Sequence, residues 1–274
     1  METPPAPLRT TAIRLGGRDA LPLLNRVSTN ALLDLAPGQA RPTLFCDFRG
    51  RLLHRAVVYR ARDESVWLLR DDAPGAELAA FVDRFVFRED VALEDRSEAL
   101  VVTRAPAGAP GTTEETGGVP TRVALEAGML WIGATPTVAD ERARIAAGRP
   151  GHRHEIVEEF NPFEVGLGDE VHLDKGCYTG QEALQRLTTY GSVRRRLARV
   201  AGVGSPPAPP ADLTWNGEPV GRLTSVAPDG EGGWKGLAVI RIDCLESGRT
   251  PSVGGTALVG PPEPLESPRA LGRP

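Results

Sequence analysis

The sequence Lys175–Glu182, KGCYTGQE, places Cys177 between two glycines and among charged and polar side chains. Glycines in such positions indicate backbone that a residue with a Cβ would strain, or backbone that another group approaches closely. Residues 181–187, QEALQRL, then place two leucines on one face, which is the pattern of an amphipathic helix. We therefore expect Cys177 to lie in a turn at the N-terminus of a helix.

The surroundings of Cys177 favour a reactive thiol over a structural one. Lys175 precedes the sulfur by two residues, and an ammonium group that folds back towards a thiol favours the thiolate, the nucleophilic and metal-binding form. Most free cysteines are small buried hydrophobes, and Cys244 fits that description because it follows an apolar run. The polar neighbours of Cys177 make the functional interpretation the better one for this residue.

Length, composition and charge exclude several classes of protein. The 274 residues, 41% of them hydrophobic and 25% charged, have the composition of a folded globular protein with room for one or two domains. A net charge of −4 and a pI near 5.7 argue against binding of nucleic acid or anionic membrane through overall charge. Because no apolar run reaches the length of a membrane span and the first residues lack the features of a secretory signal, we expect a cytoplasmic protein.

The three cysteines, Cys46, Cys177 and Cys244, lie far apart in the sequence, and none belongs to a CxxC pair. This spacing indicates neither a disulfide framework nor a self-contained iron–sulfur site, which takes its ligands from several cysteines. If the chain binds such a cluster, a partner protein has to supply the other ligands.

Periodicity divides the chain into two regions. Before residue 200, helical and alternating patterns follow one another, and 43–48, 52–59 and 65–69 have the pattern of an antiparallel meander. Residues 105–118, rich in proline and glycine, predict a mobile surface loop. After a proline-rich link, short strands are spaced like those of a small barrel, at 212–215, 218–226, 234–242 and 256–259. The fold class is therefore α+β, and periodicity alone selects no particular fold within it.

The octapeptide resembles the signature of the YgfZ family, folate-binding-like proteins related to the aminomethyltransferases of glycine cleavage. Further segments match the same family in the same order. They are 17–20 (GRDA), 144–148 (RIAAG), 161–167 (NPFEVGL) and 219–225 (PVGRLTS). The likeness covers roughly residues 8 to 260, and its central motif has few accidental matches.

This resemblance implies a particular division of the chain. A folate-binding aminomethyltransferase-like domain is expected over 8–200, with the motif at 175–182. A C-terminal β-barrel is expected over 211–260, joined by the proline-rich link at 201–210. The remaining residues, 261–274, contain several prolines and few large apolar side chains, and we expect them to be disordered.

Proteins of the YgfZ family assist the assembly or repair of iron–sulfur clusters for a subset of enzymes, including those that thiolate tRNA, and they require the motif cysteine. The resemblance implies that Cys177 is a reactive thiol or a ligand to a transient iron–sulfur cluster shared with a partner, and that Lys175 is its electrostatic activator. The other motif residues would form the turn and its rim: Gly176, Tyr178, Thr179, Gly180, Gln181 and Glu182. Glu182 equally suits a carboxylate that stabilises the start of a helix. The implied partners are an iron–sulfur carrier protein and the client cluster enzymes.

The alternative is a folate-dependent aminomethyltransferase-like enzyme. Where such enzymes carry acidic residues for the folate, this chain has His54 after a Gly-Arg turn and Ala146 within 144–148. A pterin pairs with bidentate carboxylates, and losing a charged hydrogen-bond partner costs about 1.5–3 kcal/mol per bond. The chain therefore has the character of an accessory protein more than of an enzyme. Binding of tetrahydrofolate would then depend on other groups, such as Asn30 and Arg153.

Two further interpretations are weaker. Arginines at 186, 194–196 and 199 suggest RNA binding, but charge runs are usually solvated and no aromatic residue alternates with these arginines. His152 and His154 have no nearby cysteine or clear third ligand that would define a zinc site. We therefore expect no direct binding of nucleic acid, no membrane contact and no histidine metal site.

Overall fold

A computed structural model of the chain describes residues 10–105, 112–126, 128–133 and 140–272. Contacts between Cα atoms divide the chain into two compact units. The first unit consists of Met1–Cys46, His54–Ala139 and Asp174–Gln181, and the second of Asp47–Leu53, Asp140–Leu173 and Glu182–Pro274. The chain thus passes between the units more than once, which differs from the consecutive segments expected from the sequence.

The larger sheet of the first unit contains the predicted meander. Its strands are β1 (Thr11–Gly16), β2 (Ala40–Cys46), β3 (Leu52–Arg60), β4 (Val66–Arg70) and β5 (Ala92–Asp95). They lie in the order β2, β3, β4, β1, β5, so that the three predicted strands are neighbours, as the sequence pattern indicates. Two helices accompany this sheet along the chain, α1 (Ala20–Val27) and α2 (Gly75–Asp83).

A second, four-stranded sheet follows in the same unit. Its strands are β6 (Val101–Arg104), β7 (Glu114–Thr116), β8 (Val119–Leu125) and β9 (Gly128–Gly133), in the order β6, β9, β8, β7. β7 lies inside the segment 105–118, for which a loop was predicted, and residues 106–111 of that segment lie outside the described residues. The strand forms because Glu115 is anchored from elsewhere: its carboxylate accepts hydrogen bonds from the Tyr59 hydroxyl at 2.5 Å and from the Arg62 backbone at 3.1 Å.

The core of the first unit lies between these two sheets. Large apolar side chains from both sheets meet there with 0 or 1% of their surface exposed. They include Tyr59, Trp67 and Leu69 from the larger sheet and Val102, Val123 and Leu130 from the smaller one. The burial of such side chains contributes about 1.5–3 kcal/mol each to folding, so the packing between the two sheets is an important source of stability for the unit.

The second unit is built on one seven-stranded sheet. In chain order its strands are β10 (Arg195–Val203), β11 (Ala211–Trp215), β12 (Glu218–Pro228), β13 (Gly233–Arg241), β14 (Ser252–Val253), β15 (Thr256–Ala257) and β16 (Glu263–Pro264). The spatial order is β15, β14, β11, β12, β13, β10, β16. The sheet therefore begins with β10, ahead of the predicted link, and residues 201–203 of that link belong to this strand. This unit also contains the helices α3 (Glu141–Ala146), α4 (Gln181–Thr189) and α5 (Ile242–Glu246). The first residue of α4, Gln181, is assigned to the first unit.

Residues 263–272 are ordered parts of the second unit, and the predicted disorder of 261–274 is wrong for them. β16 pairs with β10, and the backbone N–H of Leu265 donates to the carbonyl of Leu197 at 2.9 Å. Leu271 exchanges backbone hydrogen bonds with Val171 and Leu173 at 2.7 and 2.8 Å. Composition favours disorder here, but the edge of β10 supplies backbone partners that composition does not register. Residues 273–274 lie outside the described part.

Candidate functional site

α4 and the loop before it carry the motif. α4 begins at Gln181, as the leucine spacing predicts, and buries Leu184 completely. Cys177 lies four residues ahead of the helix, in the non-helical segment 174–180. The backbone N–H of Gln181 donates to the carbonyl of Tyr178 at 3.3 Å. The predicted turn before a helix is therefore confirmed.

The two motif glycines adopt backbone conformations that favour glycine. Gly176 has φ of 100° and Gly180 has φ of 85°, both in the left-handed region. A Cβ placed on Gly176 would meet no atom within 4 Å, so the conformation and not a close neighbour requires glycine at that position. Of the two reasons for glycine that the sequence suggests, a backbone conformation that strains other residues therefore applies at Gly176.

Cys177 is the accessible thiol of the chain. Its residue is exposed, whereas Cys46 is 1% and Cys244 is 0% exposed. A reagent or a partner protein can therefore reach the sulfur of Cys177 without opening the fold.

Lys175 has partners other than the Cys177 sulfur. Its Nζ atom donates a hydrogen bond to the backbone carbonyl of Asn25 and lies 4.9 Å from the centroid of the Tyr178 ring. Burial lowers the pKa of Lys175 to about 7. The sequence analysis expected the ammonium group to fold back onto the thiol, but the amine contacts Asn25 and Tyr178 instead. A role for Lys175 as electrostatic activator stays a prediction.

Tyr178 is the buried residue of the motif. It is 8% exposed, and its hydroxyl has no hydrogen-bond partner within the described ranges. Burial, and in second place the Cys46 thiol, raises the pKa of Tyr178. Cys46 is therefore a neighbour of the motif, although nothing in its own stretch of sequence indicates that. The only local signal is that it ends β2 and directly precedes a turn.

The remaining motif side chains lie at the rim of the loop and the first turn of α4. Thr179 and Gln181 are half-buried. Glu182 is exposed and forms an ion pair with Arg186 at 2.6 Å, one helical turn further on. This placement suits the second interpretation of Glu182, a carboxylate that stabilises the start of the helix.

The two residues proposed for folate belong to different units and have different environments. Asn30, in the first unit, is 2% exposed. Its Nδ2 donates to the carbonyl of Pro42 and its Oδ1 accepts from the N–H of Ala31, both at 2.9 Å. Arg153, in the second unit, is exposed and has φ of 61°. The hydrogen bonds of Asn30 connect the segment after α1 to β2, which is a structural role.

His54 and Ala146 stand at the two positions where the related enzymes are expected to carry a carboxylate for folate. The ring of His54 packs edge-on against Phe81, with centroids 5.2 Å apart. Ala146 is exposed at the end of α3, and its carbonyl accepts a hydrogen bond from Arg199 at 3.1 Å. Within residues 10–105, 112–126, 128–133 and 140–272, no three His, Cys, Asp or Glu side chains come together as a metal site would require.

Sequence models of two protein families match the chain. The GCVT N-terminal domain matches residues 9–104, and the CAF17 C-terminal β-barrel domain matches residues 194–263. The second match begins one residue before β10, in agreement with the sheet of the second unit. Neither match includes the octapeptide.

Similar proteins point to the same fold. A chloroplastic Arabidopsis thaliana protein, provisionally named a transferase, is 40% identical over 46% of this chain, and the match spans 30% of the relative's length. An aminomethyltransferase of Streptomyces avermitilis is 26% identical over 93% of this chain and 82% of its own. The crystal structure of the glycine cleavage system aminomethyltransferase T from Bartonella henselae aligns with a TM-score of 0.77 over 96% of this chain and 86% of that chain, at 15% identity. The aminomethyltransferase-like fold is therefore established for this chain.

None of the helices in the described part of the chain has the length and apolar character needed to cross a membrane.

Proposed function

We propose, because the chain has the domain architecture of the YgfZ/CAF17 family, that it is an accessory protein for the assembly or repair of iron–sulfur clusters. A GCVT domain followed by a CAF17 β-barrel domain defines that architecture, and both matches support the resemblance to the YgfZ family. The octapeptide lies outside both matched ranges. The clients would be cluster enzymes such as those that thiolate tRNA, and the compartment would be the cytoplasm.

The observation that best supports this function is that Cys177 is exposed whereas the other two cysteines, Cys46 and Cys244, are buried. An accessible thiolate supplies one ligand, whereas iron–sulfur clusters are generally held by several cysteines. A carrier or client therefore has to supply the remaining ligands. In this proposal the cluster is cargo, and the incomplete ligand set lets it leave again.

The test is anaerobic cluster transfer. The purified protein is mixed with a cluster-loaded iron–sulfur carrier, and visible absorption and complex formation are followed for the wild type and for Cys177→Ser. We expect complex formation and a change in the cluster spectrum with the wild type and neither with the variant. Cys244→Ser is the matched control, because its thiol is buried and lies outside the motif, and it should behave like the wild type. If the wild type and Cys177→Ser both leave the carrier unchanged, the cluster function is ruled out, and if both change it equally, Cys177 is not the ligand.

Binding of tetrahydrofolate is a second candidate, supported by the GCVT domain and by the aminomethyltransferase relatives. It leads to the alternative of a folate-dependent aminomethyltransferase-like enzyme. Dependence on Cys177 distinguishes the two functions, because pterin-dependent transfer should not need this thiol. Tetrahydrofolate binding is measured by calorimetry with the wild type, Cys177→Ser and Arg153→Ala. Tight binding to the wild type and to Cys177→Ser, with weaker binding to Arg153→Ala and unchanged carriers in the transfer experiment, would favour the enzyme.

A further inference from the structure

The C-terminal segment 263–272, which we call the C-terminal strap, lies against two glycines of the second unit. A Cβ on Gly148 would lie 2.7 Å from the side chain of Leu265. A Cβ on Gly168 would lie 1.9 Å from the carbonyl oxygen of Pro268. At Gly168 the neighbour is backbone, which cannot rotate aside as a side chain can. The strap therefore occupies this position only because residue 168 has no side chain.

The far end of the C-terminal strap holds the residue that directly precedes the motif loop, 174–180. The backbone N–H of Leu271 donates to the carbonyl of Val171 at 2.7 Å, and the N–H of Leu173 donates to the carbonyl of Leu271 at 2.8 Å. The carbonyl of Leu173 accepts from the side-chain amide of Gln185, in α4, at 3.2 Å. The residue before the motif loop is thus tied both to the strap and to the helix that follows the loop.

Little apolar surface fastens the C-terminal strap. No residue of this described segment is buried, and its two leucines, Leu265 and Leu271, are half-buried and 42% exposed. Its polar contacts include the Ser267 hydroxyl, which donates to the carbonyl of Phe163 at 3.1 Å. Segments with few buried apolar contacts open locally at a lower free energy than the whole domain. We therefore expect the strap to detach while the rest of the sheet stays folded.

In the first unit, the motif loop is held by the Lys175 amine, which donates to the carbonyl of Asn25, and by the buried Tyr178. A single neutral carbonyl offsets only part of the cost of taking an amine out of water. Fixing free backbone to make such a contact costs a further amount of about 1–2 kcal/mol per residue. Lys175 follows Leu173 by two residues, so a Leu173 that is already fixed lowers this cost.

We propose that the C-terminal strap is a detachable brace that fixes the start of the motif loop and, through it, the position of Cys177. With the strap attached, Leu173 is held by hydrogen bonds to Leu271 and Gln185, and the loop starts from a fixed residue. With the strap detached, the bond to Leu271 is lost and the loop adopts further conformations. The brace concerns the loop itself, and only its effect on cluster transfer rests on the proposed function.

A nitroxide label on Cys177 tests the brace, because the other two cysteines are buried and stay unlabelled in the native protein. Two variants of the full chain displace the strap. Gly168→Ala places a Cβ against the backbone of Pro268, and Leu271→Pro removes the N–H that bonds to Val171. We expect a more mobile label in both variants, seen as a narrower electron paramagnetic resonance spectrum.

Gly133→Ala is the matched control for Gly168→Ala. Neither glycine has a left-handed backbone, and a Cβ on Gly133 would meet no atom of the described residues within 4 Å. The label in this control should be as mobile as in the wild type. Leu271→Pro keeps the test decisive if Gly168→Ala fails to fold, because Leu271 is 42% exposed and its replacement leaves the core of the unit unchanged.

Hydrogen exchange of backbone amides shows whether the strap detaches. In the wild type, the N–H groups of Leu173 and Leu265 should exchange at similar rates, and faster than that of Val239, which is fully buried in β13. Gly168→Ala should raise both rates about tenfold or more, because overpacking destabilises the attached strap. If Leu173 and Leu265 exchange as slowly as Val239, the strap does not detach and the proposal is overturned.

The label experiment and the transfer experiment, which uses unlabelled protein, have independent outcomes. If both variants raise the exchange rate at Leu173 while the label on Cys177 keeps its wild-type mobility, the brace is overturned, whether or not cluster transfer needs Cys177. If the label responds to the strap but neither the wild type nor Cys177→Ser changes the carrier, the brace stands and the proposed function is overturned.

Discussion

The Nζ atom of Lys175 donates a hydrogen bond to the backbone carbonyl of Asn25, 150 residues earlier in the chain. The Tyr178 ring covers the same amine, and no carboxylate of the described residues lies within salt-bridge distance of it. The amine is thus held in a partly buried place whose polar partner is a neutral carbonyl. Burial favours the uncharged form, which is why the pKa of Lys175 falls to about 7.

Stability should therefore depend on pH through Lys175. Its pKa is 10.5 in the unfolded chain and about 7 in the folded one, so between these values the unfolded chain holds a proton that the folded chain has released. The free energy of unfolding then rises with pH in this window, by at most about 1.4 kcal/mol per pH unit from this one group. Urea unfolding of the wild type and of Lys175→Met, measured from pH 6 to pH 9, should show this rise in the wild type only. The exposed Lys235 is the control, and Lys235→Met should follow the wild type. Parallel curves for the wild type and Lys175→Met would contradict the prediction.

The three thiols should react at very different rates. Cys177 is exposed, whereas Cys46 and Cys244 are almost completely buried. With a chromogenic disulfide reagent, one thiol of the native protein should react quickly, and all three should react in denaturant. Cys177→Ser should remove the fast phase. A fast phase that persists in this variant would mean that β2 or α5 opens readily and exposes a second thiol.

The sequence predicts those parts of the site that depend on local patterns. The helix at 181–187 follows from the spacing of its leucines, and the left-handed conformations of Gly176 and Gly180 follow from the absence of a Cβ. The pairing of β2, β3 and β4 follows from alternation and short breaks. The C-terminal segment shows the limit of such patterns, because its order depends on partners in β10 and in 171–173.

The tertiary relations of the site have no local signal. The sequence predicts an ammonium group of Lys175 that folds back towards the Cys177 thiol, but the fold brings the carbonyl of Asn25 within reach of it. In the same way, the nearness of Cys46 to Tyr178 results from the path of β2 and not from the residues around either side chain.

A buried ion pair in the second unit should be important for stability. Glu155 is 0% exposed and accepts hydrogen bonds from Arg144 at 3.0 Å, from the Gly151 N–H at 2.9 Å and from the Ser225 hydroxyl at 2.6 Å. Glu155→Gln would leave the buried guanidinium of Arg144 with Glu141 as its remaining carboxylate partner, so we expect a loss of at most about 3–5 kcal/mol, the cost typical of breaking a buried ion pair.

Urea unfolding followed by tryptophan fluorescence measures this loss. The control is Asp243→Asn, which breaks the exposed ion pair with Arg241 and should cost less than about 1 kcal/mol. Losses of similar size in Glu155→Gln and Asp243→Asn would show that the burial of the Glu155 pair has no energetic consequence.

The contact between Gly50 and α4 can be tested by comparing two glycines. Gly50 and Gly38 have φ of 72° and 85°. Alanine at either position would therefore adopt a left-handed backbone conformation, which destabilises the fold by about 1–2 kcal/mol. Only at Gly50 would the new Cβ also meet a neighbour, the side chain of Leu184 at 2.9 Å. Leu184 is fully buried, so it cannot move aside without disturbing the packing around it, and overpacking of this kind adds about 1–3 kcal/mol.

Gly50→Ala should therefore lower the free energy of unfolding by about 2–5 kcal/mol, and Gly38→Ala by about 1–2 kcal/mol. Thermal and urea unfolding of both variants give the comparison, in which the difference between them isolates the contact with α4. If Gly50→Ala is as stable as Gly38→Ala, the turn that contains Gly50 is not held against α4.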